Sequence, residues 1–226
     1  RDRGISSTNK TGISISFTNE ADRSFLTYRG TNDEIDLSKV DVEKVKEARH
    51  IHLTSYMGRK NHEQYLELLK EIKASGTTTV SFDVGWDDAG EWYQGIYELY
   101  PYIDILFMNE TEAIHYSRKK EVIDAIKDFG KTCKLVVAKL GKKGSIAVKD
   151  GHIYEAASYS VEAIDTTGAG DSFNAGFVYG FLKGKSIEEA LKYGNACGGL
   201  SVTALGGNTG FPQEDELIKF MAKRER

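Results

Sequence analysis

The sequence predicts an α/β fold, a largely parallel sheet covered by helices on both faces with a small antiparallel hairpin outside it. Three observations carry this. From residue 40 onward, short apolar runs alternate with segments of helical periodicity. The first apolar stretch instead alternates apolar and polar residues, the pattern of a half-buried strand. After Gly168 only helical segments follow.

In chain order, GISISFT (12–18) places Ile13, Ile15 and Phe17 on one face, and SFLTY (24–28) returns after a turn at 19–22. This hairpin has one solvated face. A short helix ends near Arg49, a strand follows at 50–53, and Leu66, Leu69 and Ile72 mark a helix over 63–74 that Gly76 stops. The alternation continues with strand 77–83, helix 91–99, strand 103–109, helix 121–129 and strand 134–141. SIAVKDGHIYEA is a hairpin turning at Asp150 and Gly151. A last short strand is expected at 161–164, then helices at 168–182, 186–202 and 213–223. Apolar strands joined through helices imply right-handed crossovers.

With 226 residues, 40% hydrophobic and 28% charged, the chain has a globular composition, and a net charge of −4 with interspersed signs offers no field for nucleic acid or an anionic membrane. No apolar run nears the roughly 18 residues of a membrane span, and RDRGISSTNK lacks the apolar core of a signal peptide. Cys133 and Cys197 fit neither a metal spacing nor a disulfide framework, so a cytoplasmic setting is expected.

The chemistry concentrates in VEAIDTTGAGDSFNAGF (161–177), a strand, a turn and a helix that opens on Gly168, Ala169 and Gly170. Free N–H groups and the positive helix end favour an anion there, and glycines allow close approach. The GxGxxG dinucleotide pattern is excluded because Phe173 holds its last position. LKGKS is no Walker A tail either, since Tyr179 stands where the first glycine belongs. The same residues also suit an ordinary helix start capped by Asp165 or Thr167, with Asp171 complementing the dipole. Asn109 and Glu112 end an apolar strand at the edge where open α/β sheets bind ligands, or simply begin a helix. Asp83 also ends a strand and is a candidate supporting group. Gly141 and Gly144 fit a tight turn, Lys139 either reaches a triphosphate or snorkels from its strand end, and Gly198 permits close packing. The histidines show no ligand spacing and are assigned no role. Trp86, Trp92 and the tyrosines of 91–102 are expected to pack one helix rather than form a sugar platform.

DTTGAGD (165–171) followed by Ala175 and Gly176 resembles the C-terminal signature of the ribokinase-like (PfkB) carbohydrate kinases. The early hairpin resembles their lid strands, Asn109-Glu110-Thr111-Glu112 their NxxE motif, Leu140 to Gly144 their nucleotide-side loop, and Asn195 lies where their adenine-bordering helix runs. The resemblance implies a three-layer α/β/α domain with a mostly parallel sheet and a small β lid, divided as a partial lid over 1–35 and a nucleotide- and substrate-binding domain over 36–226. It implies transfer of the γ-phosphate of ATP to a hydroxyl of a small sugar or sugar acid. Asp171 would be the base and Gly168, Ala169 and Gly170 the anion hole. Lys139, Gly141, Gly144, Asn195 and Gly198 would bind nucleotide. Glu112 and Asn109 would serve Mg²⁺, while Asp165 and Thr167 would serve a monovalent cation, K⁺. A homodimer through the lid is also implied. Lys139-Leu140-Gly141 is similar to a stretch of 2-keto-3-deoxygluconate kinases. The family's N-terminal strand and Gly-Gly segment are not found, so an upstream part is expected to be missing. A nucleotide-binding sensor or subunit without catalysis, a nucleoside kinase and a vitamin kinase remain alternatives.

Overall fold

Strands pair where apolar runs meet, and their order sets which side chains converge. In the computed structural model, which describes residues 9–18, 23–74 and 76–223, the chain divides into two compact units, Arg1–Asp41 and Val42–Arg226. In the first, β1 (Ile13–Thr18) and β2 (Arg23–Tyr28) pair antiparallel, with Ile13 opposite Tyr28 and Ile15 opposite Leu26. Strand alternation puts Ile13, Ile15, Phe17, Leu26 and Tyr28 on one face. Each is at least 50% exposed, so the hairpin carries an uncovered apolar face. On the other face Ser14 and Thr27 share a 2.8 Å hydrogen bond. The turn expected at 19–22 lies outside the described residues.

The second unit begins with α1 (Val42–Lys46) and β3 (His50–Thr54), followed by α2 (His62–Ala74) and β4 (Thr79–Asp83). Then come β5 (Ile105–Asn109), α3 (Glu110–Ser117), α4 (Val122–Phe129), β6 (Leu135–Lys139), β7 (Ser145–Lys149) and β8 (His152–Ala156). Helices α5 (Ala169–Leu182), α6 (Ile187–Ser201) and α7 (Glu214–Ala222) complete it. The sheet runs β3-β4-β5-β6-β7-β8, parallel through β6 and antiparallel for the last two pairings. A tight turn at Asp150 (φ 50°) and Gly151 (φ 77°) joins β7 to β8, the doubly left-handed form that matches hairpin twist. Among the described residues no helix is long and apolar enough to cross a membrane.

Both faces of the sheet are covered, which is why β5 and β6 read as continuous apolar runs. On one face Ile105, Phe107, Leu135, Val137 and Ala147 pack against Phe173 and Phe177 of α5 and Ala190 and Leu191 of α6. The Phe107 and Phe177 rings meet edge to face at 5.3 Å. On the other, Phe82 meets Tyr65 of α2 at 5.1 Å, and α4 packs on β6 and β7. Toward β3 the α5-facing side turns polar: His50 bonds Thr79 and Ser81 (both 2.8 Å), and His52 bonds Ser81 (2.7 Å).

Two expected elements differ. The helix expected over 91–99 is instead short 3₁₀ turns at Gln94–Glu98 and Tyr100–Tyr102. Trp92 takes a left-handed conformation (φ 48°) with its N–H held by the Asp87 carboxylate at 2.6 Å, which fixes the chain out of helical register. The segment 161–164 forms no strand. Its end is tied to a helix, because the N–H groups of Ile164 and Asp165 both donate to the carbonyl of Val202, at 2.8 and 3.2 Å. Helix α3, at 110–117, appears where the sequence reading offered only a helix start.

Candidate active site

The first turn of α5 is held open by backbone geometry. Gly168, the residue before the helix, is left-handed (φ 76°), and a Cβ there would lie 2.1 Å from the carbonyl oxygen of Gly207. No side chain caps the helix. Asp165 and Thr167, the expected alternatives for a cap, bond to each other. Oδ1 of Asp165 accepts from the Thr167 N–H (2.9 Å) and hydroxyl (2.7 Å), and its Oδ2 accepts from the N–H of Gly206 (3.0 Å). The Ala169 N–H donates to the Thr166 carbonyl, whereas those of Gly170 and Asp171 have no partner among the described residues. Two unsatisfied donors at the positive end of a helix, with no side chain capping them, suit an anion. Asp171 itself is exposed, and among the described residues its carboxylate makes no hydrogen bond or ion pair.

Beside this turn lies a cavity of about 580 Å³. Its lining brings Lys139, Gly141, Gly144, Asn195 and Gly198 together with Ala169 and Gly170. Gly168, Asp171, Asn109, Glu112, Asp165 and Thr167 are outside that lining. Gly141 and Gly144 close the turn between β6 and β7, where the N–H of Gly144 donates to Gly141 (3.0 Å) and that of Leu140 to Gly144 (2.8 Å). A Cβ on Gly144, whose φ is 102°, would meet the Ala156 carbonyl oxygen at 2.1 Å. Gly198 lets α6 approach the Ala169 carbonyl, 3.2 Å from where its Cβ would be. The amide nitrogen of Asn195 is committed to the protein, donating to the carbonyls of Ala156 (3.0 Å) and Ala157 (3.1 Å), so Asn195 shapes the wall.

At the carboxyl ends of β4, β5 and β6 lies a charged cluster. Asn109 and Glu112 form a reciprocal capping box on α3: the Glu112 N–H donates to Asn109 Oδ1 (2.8 Å), and the Asn109 N–H to Glu112 Oε2 (2.7 Å). Glu112 is buried, and its pKa is raised by that burial first and then by the nearby Asp83. A desolvated carboxylate fixed through one oxygen, with the other unbonded, suits a hydrated Mg²⁺ that keeps most of its waters. Among the described residues no group of three His, Cys, Asp or Glu side chains could enclose a metal alone.

Lys139 lies along Gly170, its Nζ 3.4 Å from where a Cβ would stand, and forms an ion pair with the buried Asp83. Asn174 of α5 donates to the same Asp83 oxygen. Sequence reasoning missed Asn174, although it follows Asp171 by one helical turn. It also left out His52. Burial lowers the His52 pKa, with the charge of Asp83 acting against it, that of Lys139 with it, and that of Asp171 against it. Trp92 packs face to face on His115 at 4.5 Å, and Trp86 stands edge-on to Trp92 at 5.0 Å.

Known proteins resemble this chain over most of its length. The model of the pfkB family of carbohydrate kinases matches residues 4–214. An uncharacterized sugar kinase of Archaeoglobus fulgidus is 31% identical over 207 residues, 90% of this chain and 81% of that protein. An ATP-dependent ribose-1-phosphate kinase of Halopiger xanaduensis is 31% identical over 196 residues, 86% of this chain but 62% of its own length. The structure of Arabidopsis thaliana ribokinase complexed with ribose and ATP superimposes with a TM-score of 0.80 at 27% identity, covering 95% of this chain and 70% of that one. Fold, family model and relatives agree: the chain belongs to the pfkB family of carbohydrate kinases and has the ribokinase fold.

Proposed function

We propose that this protein transfers the γ-phosphate of ATP to a hydroxyl group of a small sugar or sugar acid. The observation that carries the reading is the uncapped first turn of α5, with the N–H groups of Gly170 and Asp171 unsatisfied beside an unpaired Asp171 carboxylate. In that reading Asp171 accepts the proton of the sugar hydroxyl as its oxygen bonds to the γ-phosphorus and the bond to ADP breaks. The first turn of α5, from Gly168 through Gly170, takes up the negative charge spread over the phosphoryl oxygens. Nucleotide occupies the cavity between β6, the Gly141–Lys143 turn and α6, with Lys139 at its phosphate end.

Mg²⁺, when bound beside Glu112 and Asn109, would neutralise charge on the nucleotide's phosphates. Asp165 and Thr167 brace the glycine turn, and a K⁺ ion near them would draw on oxygens of that loop. The apolar face of the hairpin in the first unit pairs two copies of the chain.

The test is ADP release measured against a panel of pentoses, hexoses, sugar acids, sugar phosphates and nucleosides, for this chain and for one extended upstream. Turnover with one class and its loss in Asp171→Asn, with ATP binding retained, is the expected result. ATP binding without transfer to any acceptor by either chain would replace this reading with that of a nucleotide sensor.

A further inference from the structure

We infer that Asp83 is a positioning residue that holds the Lys139 ammonium against the first turn of α5, fixing it where the terminal phosphate of the nucleotide arrives. This rests on the kinase reading above and deepens it.

The two residues do not belong to adjacent strands. Asp83 ends β4, Lys139 ends β6, and β5 runs between them with Phe107 opposite both Asp83 and Val137. The lysine therefore reaches back across the end of β5, its Nζ 2.5 Å from Asp83 Oδ2. The carboxylate is anchored on its other sides. Its Oδ1 accepts from the N–H of Gly85 at 3.2 Å, and its Oδ2 also accepts from the Asn174 amide of α5 at 2.5 Å. Asn174 Oδ1 is buried with no partner among the described residues, so Asp83 alone orients that amide. One aspartate thus ties the end of β4, the end of β6 and the first turns of α5 into a single arrangement.

Stability does not explain it. The Asp83 and Lys139 side chains are only 10% and 14% exposed, and pairing two desolvated charges roughly cancels the cost of burying them. Placement is what the pair achieves. An ammonium has three donors, and Asp83 is the one hydrogen-bond partner Lys139 has among the described residues. The remaining donors sit on a side chain that lines the cavity and lies along Gly170. A free lysine would lose rotamer freedom on meeting a phosphate. Here that ordering accompanies folding, and the charge is preorganised for the oxygens it must face.

The experiment compares the full chain with Asp83→Asn, Asp83→Glu, Lys139→Met and the Asp83→Asn/Lys139→Met double variant. Readouts are kcat and KM for ATP, calorimetric Kd for ATP and for ADP, and a melting curve for each protein. Asp83→Asn should lower kcat by about tenfold to a hundredfold while KM for ATP moves less than about threefold, the signature of a misplaced group rather than a lost site. Asp83→Glu, which keeps the charge but shifts it by one methylene, should fall between wild type and Asp83→Asn. Should Asp83→Asn not fold, Asp83→Glu decides on the same criterion. The double variant should be no slower than Lys139→Met. The preference for ATP over ADP should fall in Asp83→Asn and in Lys139→Met. Wild-type kcat in the Asp83 variants, or losses that multiply in the double variant, would overturn the assignment of Asp83 and leave the kinase reading intact. If the wild type transfers phosphate to nothing, the kinase reading fails, and an ATP-to-ADP preference unchanged in the Asp83 variants would then sink this inference separately.

Discussion

Gly168 and Gly170 stand two residues apart in one motif, yet their surroundings predict opposite effects of the same substitution. Gly168→Ala forces an L side chain into a left-handed backbone, which costs about 1–2 kcal/mol. Its methyl would also stand 2.1 Å from the Gly207 carbonyl oxygen, and moving packed backbone aside adds roughly 1–3 kcal/mol. At about 2–4 °C per kcal/mol for a domain of this size, Gly168→Ala should melt on the order of 10 °C below wild type. Gly170 lies within α5, where the nearest atom to a Cβ would be Nζ of Lys139, at 3.4 Å, an ordinary contact. Alanine there should leave the melting temperature unchanged or raise it slightly, by at most about 1 kcal/mol of helix propensity. Its methyl, however, occupies the space beside the free N–H of Asp171, and phosphoryl transfer should fall about tenfold or more. Differential scanning calorimetry and a coupled ADP-release assay on both variants separate these effects. A Gly168→Ala protein melting within about 2 °C of wild type, or a Gly170→Ala protein turning over at the wild-type rate, would refute the reasoning.

Phe177, fully buried against Phe107, should lose about 3–5 kcal/mol of unfolding free energy when cut to alanine, read from urea denaturation. Glu112 is a buried acid whose pKa is raised in the folded state, so its ionised form opposes folding above that pKa and the penalty vanishes as pH falls through it. Glu112→Gln should therefore be more stable than wild type near pH 7 without Mg²⁺, and the difference should shrink as pH falls toward the ordinary carboxylate range. Added Mg²⁺ should raise the wild-type melting temperature and leave that of Glu112→Gln unmoved. If the hairpin face pairs two copies as proposed, wild type should scatter light as a dimer and Leu26→Glu, at a position 64% exposed on that face, as a monomer, without a change in the melting of the second unit.

What could be read from sequence was what local pattern encodes. Strands β5 and β6 were legible because strands buried on both faces need unbroken apolar runs, and the glycine-rich start of α5 because a left-handed residue and an open helix end demand those residue types. The stretch over 91–99 misled for a definite reason. Trp92, Ile96 and Leu99 are all buried, which gives a helix-like spacing, but the bond from Asp87 to the Trp92 N–H decides the backbone. The segment 161–164 has a strand's apolarity and a loop's partners, since its hydrogen bonds go to the end of α6. The bond between Asp83 and Asn174 joins residues 91 positions apart, and no periodicity encodes such a meeting. Asp83 and Lys139 each stood out as strand-end residues, while their pairing depends on the order in which strands assemble.

The bracing around Asp165 has a consequence for how this scaffold diversifies. One carboxylate clips the glycine turn to the loop at Gly206, and Gly168 seats against Gly207 of that loop, so the turn's shape comes from the last third of the chain. The turn thus depends on residues 165–168 and 206–207, and a substitution elsewhere that spares them leaves its geometry in place.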